Sequence, residues 1–483
     1  MQYAFGPYEL DADARRLTRD GQPVPVSDRH IDILIALVAR PGEIVSKDVL
    51  IEAAWKDVAV TDNSLEQAIS GLRRTLEQPA DRPPYIETVP RRGYRMAASI
   101  ILSAARHSTL AVEALLDPFR AFVEGRAALE TLEPEAVARA RNVFEDVLRT
   151  SADHAPAHVG LANALALQLE AARSQAIAPD HDALRTASYH ASEACRLDPS
   201  SAEAWCVVGL IAYHAGDTSR AVAAARRATM LEPDSWRHHV RLAYVSWGEQ
   251  RLQAARRALR LCPGVPLAHW LAATVYVARQ AFGEAEQELV TGATAHDQQV
   301  EGTRFRAVGL QLLLGLIELA RGHDVAASQA LQREITSGDR EQIYSGQARA
   351  NAWCALGALR LRDADSDGAR QAFDRAIDTV PEHAPALAAR AFLTGDAEDT
   401  VRFKDRVQQL RATGASLEAA FAEAISHALS NRPDRASGVL LAALERQPGG
   451  SGGWTLPVDP LLHVAAHAGP WRPVLALLRS RAL

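Results

Sequence analysis

The stretch Thr61-Asp62-Asn63-Ser64-Leu65-Glu66-Gln67-Ala68-Ile69-Ser70-Gly71-Leu72-Arg73-Arg74-Thr75-Leu76 is followed, after a short loop, by Tyr85-Ile86-Glu87-Thr88-Val89-Pro90-Arg91-Arg92-Gly93-Tyr94-Arg95. Leu65, Ile69, Leu72 and Leu76 recur at spacings of four, three and four, which gathers them into one apolar seam of an α-helix. Asn63, Gln67, Ser70 and Arg74 fall on the other side, and all can exchange hydrogen bonds. The second segment reads as a β-hairpin tipped by Arg91, Arg92 and Gly93. A helix with a polar outer face beside an arginine-tipped hairpin suits reading of base edges in a major groove, with the hairpin clamping the backbone.

Working outward, residues 3–26 alternate in short pieces: Tyr3-Ala4-Phe5, Tyr8-Glu9-Leu10, Arg16-Leu17-Thr18 and Val24-Pro25-Val26. Asp20-Gly21 is a two-residue hairpin signal, so a small antiparallel sheet is expected. Ser27 or Asp28 can cap a first helix with the stripe Ile31, Leu34, Ile35 and Val38, which Pro41-Gly42 ends. Ser46 can cap a second, with Val49, Leu50, Ala53 and Trp55 turned inward. Asp62 or Asn63 can cap the third, with Glu66 in capping-box spacing from Asn63.

Sheet, three helices and hairpin, in that order, resemble the OmpR/PhoB-type winged helix-turn-helix domain. The resemblance is carried by Ile31, Leu34, Leu37, Pro41-Gly42, Ile44-Val45-Ser46, Leu50, Trp55, Leu65, Ile69, Leu72-Arg73 and Thr88-Val89…Gly93-Tyr94, within about the first 97 residues. It implies an α+β winged helix whose third helix, 61–77, enters the major groove while the wing, 85–96, reaches the adjacent minor groove. Asn63, Ser64, Gln67 and Ser70 are then the expected base readers; Arg73 and Arg74 the expected phosphate contacts; and Thr88, Arg91, Arg92 and Arg95 the wing contacts. Family members often carry several basic residues on the third helix, whereas Asn63, Ala68, Ser70 and Gly71 stand there here. Residues 1–97 hold 13 Lys and Arg against 15 Asp and Glu, a net −2, so the attraction for DNA must be local. Response regulators of this type place a phosphorylatable receiver domain first, and membrane-anchored relatives add a spanning helix after the domain. This chain opens in the first strand and shows neither, so control is expected from the C-terminal part.

The 483 residues are too many for one compact core. The overall charge of −6 gives no general case for nucleic-acid binding, and nearly all positive charge is arginine, with Lys47, Lys56 and Lys404 the only lysines. Cys195, Cys206, Cys262 and Cys354 lack a C-x-x-C pair and fit reduced thiols. Neither a signal peptide nor an apolar run of about 20 residues is present, so a cytoplasmic protein without membrane contact is expected.

Residues 98–117 read as a linker, and 118–483 as helical repeats. In Ala202–Ser235, Trp205, Gly209, Ala221, Ala228 and Pro233 occupy positions 4, 8, 20, 27 and 32 of a 34-residue frame. Ala350–His383 repeats it with Trp353, Gly357, Ala369, Ala376 and Pro381, and Leu417–Gly450 keeps Ala424, Ala436, Ala443 and Pro448. The frame resembles the tetratricopeptide repeat (TPR), two antiparallel helices per unit, which implies an all-α superhelical solenoid. Weaker units fit 118–154, 155–200, 236–265, 266–300, 308–341 and 384–415; Gly449–Gly453 reads as a flexible loop and 457–483 as a terminal helix pair.

No phosphate loop, dinucleotide fingerprint, H-E-x-x-H or G-x-S-x-G is found, so no catalytic residue, cofactor or metal site is expected. His238-His239 reads as a helix-surface pair, and Cys195 and Cys206 as core residues. The reading is a DNA-binding transcriptional regulator controlled through its repeats. Expected partners are double-stranded DNA, a protein, peptide or small effector in the repeat groove, RNA polymerase, and a second copy of the chain on DNA. The alternative is a scaffold whose winged helix docks protein.

Overall fold

The computed structural model describes residues 2–55, 62–76, 84–97, 100–102, 123–129, 131–174, 180–298, 307–336, 342–447 and 449–483. The chain divides into two compact units, Met1–Asp117 with Asp234–Trp236, and Pro118–Pro233 with Arg237–Leu483.

In the first unit, β1 (Gln2–Phe5), β2 (Tyr8–Asp11), β3 (Arg16–Arg19) and β4 (Gln22–Pro23) form an antiparallel meander. The Asp20-Gly21 turn pairs Arg19 with Gln22, so β4 starts directly after it. The expected fourth piece, 24–26, lies just beyond that strand, although Val24 N still donates to Leu17 O at 2.9 Å and adds one bond to the ladder. Ser27 Oγ accepts from His30 N at the start of α1 (Asp28–Val38), which buries Ile31, Ile33, Leu34, Leu37 and Val38. After β5 (Ile44–Val45), Ser46 Oγ accepts from Val49 N and opens α2 (Lys47–Trp55), which buries Leu50, Ala54 and Trp55. Helix α3 spans Asp62–Thr75, and its seam of Leu65, Ile69, Leu72 and the following Leu76 is fully sequestered. At about 1.5–3 kcal/mol for each such side chain, that seam is what holds α3 onto α1 and the sheets.

Strands β6 (Ile86–Val89) and β7 (Gly93–Met96) make the wing, and β5 pairs with β7 to give the order β5-β7-β6. A further strand, β8 (Ile101–Leu102), pairs with Tyr3 and Ala4 on the free edge of β1. The stretch expected to be linker, 98–117, therefore starts inside the first unit: β1 would otherwise present unpaired backbone groups there. The rest of that stretch lies outside the described residues.

The second unit is all-α. Ala155–Ser174 packs with His181–Leu197, Ala202–His214 with Thr218–Leu231, Pro266–Ala278 with Phe282–Asp297, Leu310–Arg321 with Asp324–Thr336, Ser345–Arg362 with Ser366–Thr379, Ala384–Thr394 with Ala397–Ala412 and Ser416–Leu429 with Pro433–Glu445. These pairs follow the expected frames. The small residues do what the frame requires: Ala221, Ala228, Ala369, Ala376, Ala424 and Ala436 are inaccessible, and a Cβ on Gly357 would lie 2.5 Å from the Phe373 ring.

One expectation for the last segment is corrected. Residues 457–483 are not a helix pair: a 3₁₀ turn (Leu456–Val458) and irregular turns precede a single helix, Ala468–Ala482. Pro457 and Pro460 remove the N–H donors a first helix would need. Directly after the glycine-rich run, Trp454 meets the Trp270 ring edge-on with centroids 5.7 Å apart. The Arg279 guanidinium donates to Ala482 O at 2.7 and 2.9 Å, so the final helix is tied to a repeat two hundred residues earlier.

The repeats also contain a titratable brace. His383 Nε2 lies 2.8 Å from Asn351 Oδ1, and Nδ1 accepts from Ala386 N at 3.2 Å as the cap of Ala384–Thr394. Only the neutral ring can do both, and burial pushes its pKa down to about 4. With an unfolded value near 6.5, this stability is complete above about pH 6.5 and lost as pH falls towards 4, up to about 3 kcal/mol. Urea titrations of wild type and His383→Gln should show a midpoint gap that narrows between about pH 7 and about pH 4.5; a constant gap would refute the assignment.

Candidate nucleic-acid interface

The exposed side of α3 presents Ser64, Gln67, Ser70 and Arg74, which recur every three or four residues opposite the buried seam. The Asn63 side chain, also expected there, lies outside what the structure describes. Ala68 and Gly71 belong to the inward side instead. Ala68 packs on the core, and a Cβ on Gly71 would lie 3.0 Å from the His30 ring of α1. Glycine in a helix interior costs about 1 kcal/mol relative to alanine; here it lets α1 and α3 approach.

Arg73 is engaged within the unit. Its Nε and one terminal nitrogen donate to Ile86 O at 3.0 and 2.8 Å, and the same terminal nitrogen donates to Thr88 Oγ1 at 2.8 Å. The guanidinium thus ties the last turn of α3 to β6, fixing the wing relative to the helix. Arg95 is similarly committed, 2.5 Å from Glu87 Oε2, directly across the β6–β7 ladder. Of the ten side chains expected to touch DNA, Arg73, Thr88 and Arg95 therefore have intramolecular partners. Arg73→Ala is expected to cost the first unit about 2 kcal/mol, because the charge-assisted bonds to Ile86 O and Thr88 Oγ1 go. Arg73→Lys, a point charge without the fork, should recover only part of that loss in thermal unfolding.

Arg74, Arg91 and Arg92 are exposed, and among the described residues no hydrogen bond or ion pair engages their side chains. The wing turn explains the last two. Arg92 N donates to Val89 O at 3.0 Å, Pro90 takes the second corner, and Arg91 sits at φ 64°, a left-handed conformation uncommon for a side chain of this size. The turn holds both guanidinium stems clear of the hairpin. Gly93 follows at φ 132°, where a Cβ would lie 2.1 Å from Val45 O. Only glycine lets β7 pass β5 this closely.

Charge on this face is less acidic than the domain total implies. Glu66 takes Lys47 Nζ at 3.1 Å, and Glu87 is held by Arg95. Asp28 and Asp32 gather around Arg15, which reaches Asp32 Oδ1 at 2.6 Å. On α3 and the wing, Glu66 and Glu87 are thus each paired with a cation.

Elsewhere, His238 is not a surface residue. It is buried between Cys206 Sγ at 3.1 Å and Glu232 Oε2 at 2.9 Å, while His239 Nε2 meets Pro233 O at 2.9 Å. These partners come from the preceding repeat, which local spacing does not reveal. Among the described residues no cluster of His, Cys, Asp and Glu is arranged to hold a metal ion, and no helix is long and apolar enough to cross a membrane.

Comparison with known proteins points the same way as the geometry. The family described as "Transcriptional regulatory protein, C terminal" matches residues 21–96. The transcriptional activator CadC of Escherichia coli is 35% identical over 97 residues, covering 20% of this chain and 19% of that protein. The cholera toxin transcriptional activator of Vibrio cholerae is 41% identical over 70 residues, covering 14% and 24%. A solved DNA-binding domain of E. coli CadC is 33% identical, covering 21% of this chain and 95% of that one, with a TM-score of 0.20. The chain therefore spans about a fifth of the length of these curated relatives.

Proposed function

The N-terminal domain is a winged helix of the OmpR/PhoB transcriptional-regulatory type, and from that premise we propose that this chain is a promoter-binding transcriptional regulator governed by its TPR-like solenoid. Helix 61–77 reads base edges in the major groove through Asn63, Ser64, Gln67 and Ser70. Arg74, Arg91 and Arg92 contact the phosphate backbone or the minor groove. Arg73, Thr88 and Arg95 set the angle between helix and wing, and each keeps an edge for DNA. The observation that carries this reading is the set of exposed, unpaired arginines on a helix and a turn that share one rigid unit. Three free cations give modest affinity for a single copy, which favours two copies on paired sites, with RNA polymerase recruited beside them. Nothing in this mechanism calls for a cofactor, a reaction or a membrane, so the protein acts in the cytoplasm.

The test is selection of genomic fragments by the full-length chain at two salt concentrations. The proposal expects enrichment of a defined sequence, with affinity falling steeply as salt rises. Recovery of no fragment, or binding indifferent to salt, would sink it and leave the scaffold reading in its place.

A further inference from the structure

Repeat solenoids ordinarily make contacts only between neighbouring repeats. The segment Gln342-Ile343-Tyr344, which leads into Ser345–Arg362, departs from this. Ile343 N donates to Leu132 O at 3.0 Å, in the turn before Pro134–Thr150. Leu132 holds that carbonyl in a left-handed conformation, φ 57°. The Ile343 side chain is 8% exposed and packs in the apolar cluster of the first repeats, with Leu129 and Val137. The Tyr344 hydroxyl bonds Glu170 Oε1, which also accepts from Tyr244 Oη at 2.7 Å, and the two phenols are 3.3 Å apart. His214 Nε2 stands 3.1 Å from the other Glu170 oxygen. Glu170 lies 174 residues from Tyr344 in sequence.

These contacts are the parts of a peptide-recognition site: a main-chain acceptor, an apolar socket, and a buried carboxylate reading a phenol. Glu170 Oε1 accepts from the phenols of both Tyr244 and Tyr344, so a residue without a hydroxyl at the second place costs this buried carboxylate one of two donors. We propose that the groove of the first repeats is a tyrosine-reading peptide site, occupied in cis by Ile343-Tyr344, and that its partner in trans is a protein segment presenting an aliphatic residue followed by tyrosine. Displacement of the internal segment releases the tie between early and late repeats, which couples partner binding to solenoid closure. This inference stands apart from DNA binding and is tested without DNA.

The experiment uses the full-length chain and a fluorescein-labelled peptide of its own residues 342–349. Ile343→Asp combined with Tyr344→Ala empties the site, so the peptide should bind this variant at least tenfold more tightly than wild type by anisotropy. A peptide with Tyr344→Ala should lose that binding. Equal binding to both proteins, or indifference to the peptide's tyrosine, overturns the proposal. Should the variant lose helical content by circular dichroism, wild-type hydrogen exchange decides instead. The Ile343 amide must be protected at least a hundredfold over an unstructured amide, and must lose that protection when excess peptide is added. An Ile343 amide that exchanges freely, or that ignores the peptide, overturns it.

Discussion

A chain carrying Arg91→Ala and Arg92→Ala will bind its operator about 100-fold more weakly at about 0.1 M salt, and its log–log salt dependence will flatten by about two. Both numbers follow from removing two phosphate contacts, each releasing about 0.9 counterion. The cause is electrostatic and local: these side chains project from a turn with no intramolecular partner among the described residues, so their loss leaves the hairpin's own bonds intact. A companion variant separates charge from fold. Arg91→Gly relieves the left-handed backbone of a bulky residue but gives the unfolded chain more freedom, so folding stability should move by no more than about 1 kcal/mol. Affinity should still fall about tenfold, with a slope change near one. Fluorescence anisotropy across a salt series checks both. If the double variant kept the wild-type slope, the wing would not be touching phosphate.

The second large effect is on folding. Gly93→Val should remove about 3–5 kcal/mol from the first unit and abolish DNA binding with it. The added Cβ would stand 2.1 Å from Val45 O and 2.9 Å from Ser46 Cα, both backbone atoms that cannot swing aside. The φ of 132° adds strain that a β-branched residue cannot relieve. Relief requires β7 to leave β5, which breaks the Val45–Tyr94 and Ile44–Arg95 pairings and exposes the Tyr94 ring now buried there. Differential scanning calorimetry of the full chain should show the winged-helix transition shifted down, with the solenoid transition in place. A variant as stable as wild type would mean that the β5–β7 approach is looser than described.

Much of this was legible because local periodicity records local burial. The spacing of Leu65, Ile69, Leu72 and Leu76 could only be one helical seam, and the alanines at positions 20 and 27 of the repeat frame report helices in close contact. The caps at Ser27 and Ser46 were equally readable, since each serine sits just ahead of an apolar stripe. What escaped depends on partners distant in sequence. Arg73 looks like a phosphate ligand until Ile86 O is seen beside it, and Gly71 looks like an outer-face residue until the His30 ring fills the space against it. His238 was misread as a surface residue because the thiol and carboxylate that hold it come from the previous repeat. In the final segment Pro457 and Pro460 rule out the first of the two expected helices. The base-reading residues gained a shared face but not a register, which only bound DNA would supply.

The tie between Leu132 and Ile343, together with that between Arg279 and Ala482, alters how the repeats come apart. An open array of repeats frays: its terminal units, held on one side only, melt first and at little cost, and unfolding walks inward. Here the first repeats and the last helix are each fastened to distant partners, so neither extremity is held on one side alone. Thermal melting should then be a single steep transition rather than a progressive peel, and hydrogen exchange should find no gradient of protection from the ends to the middle.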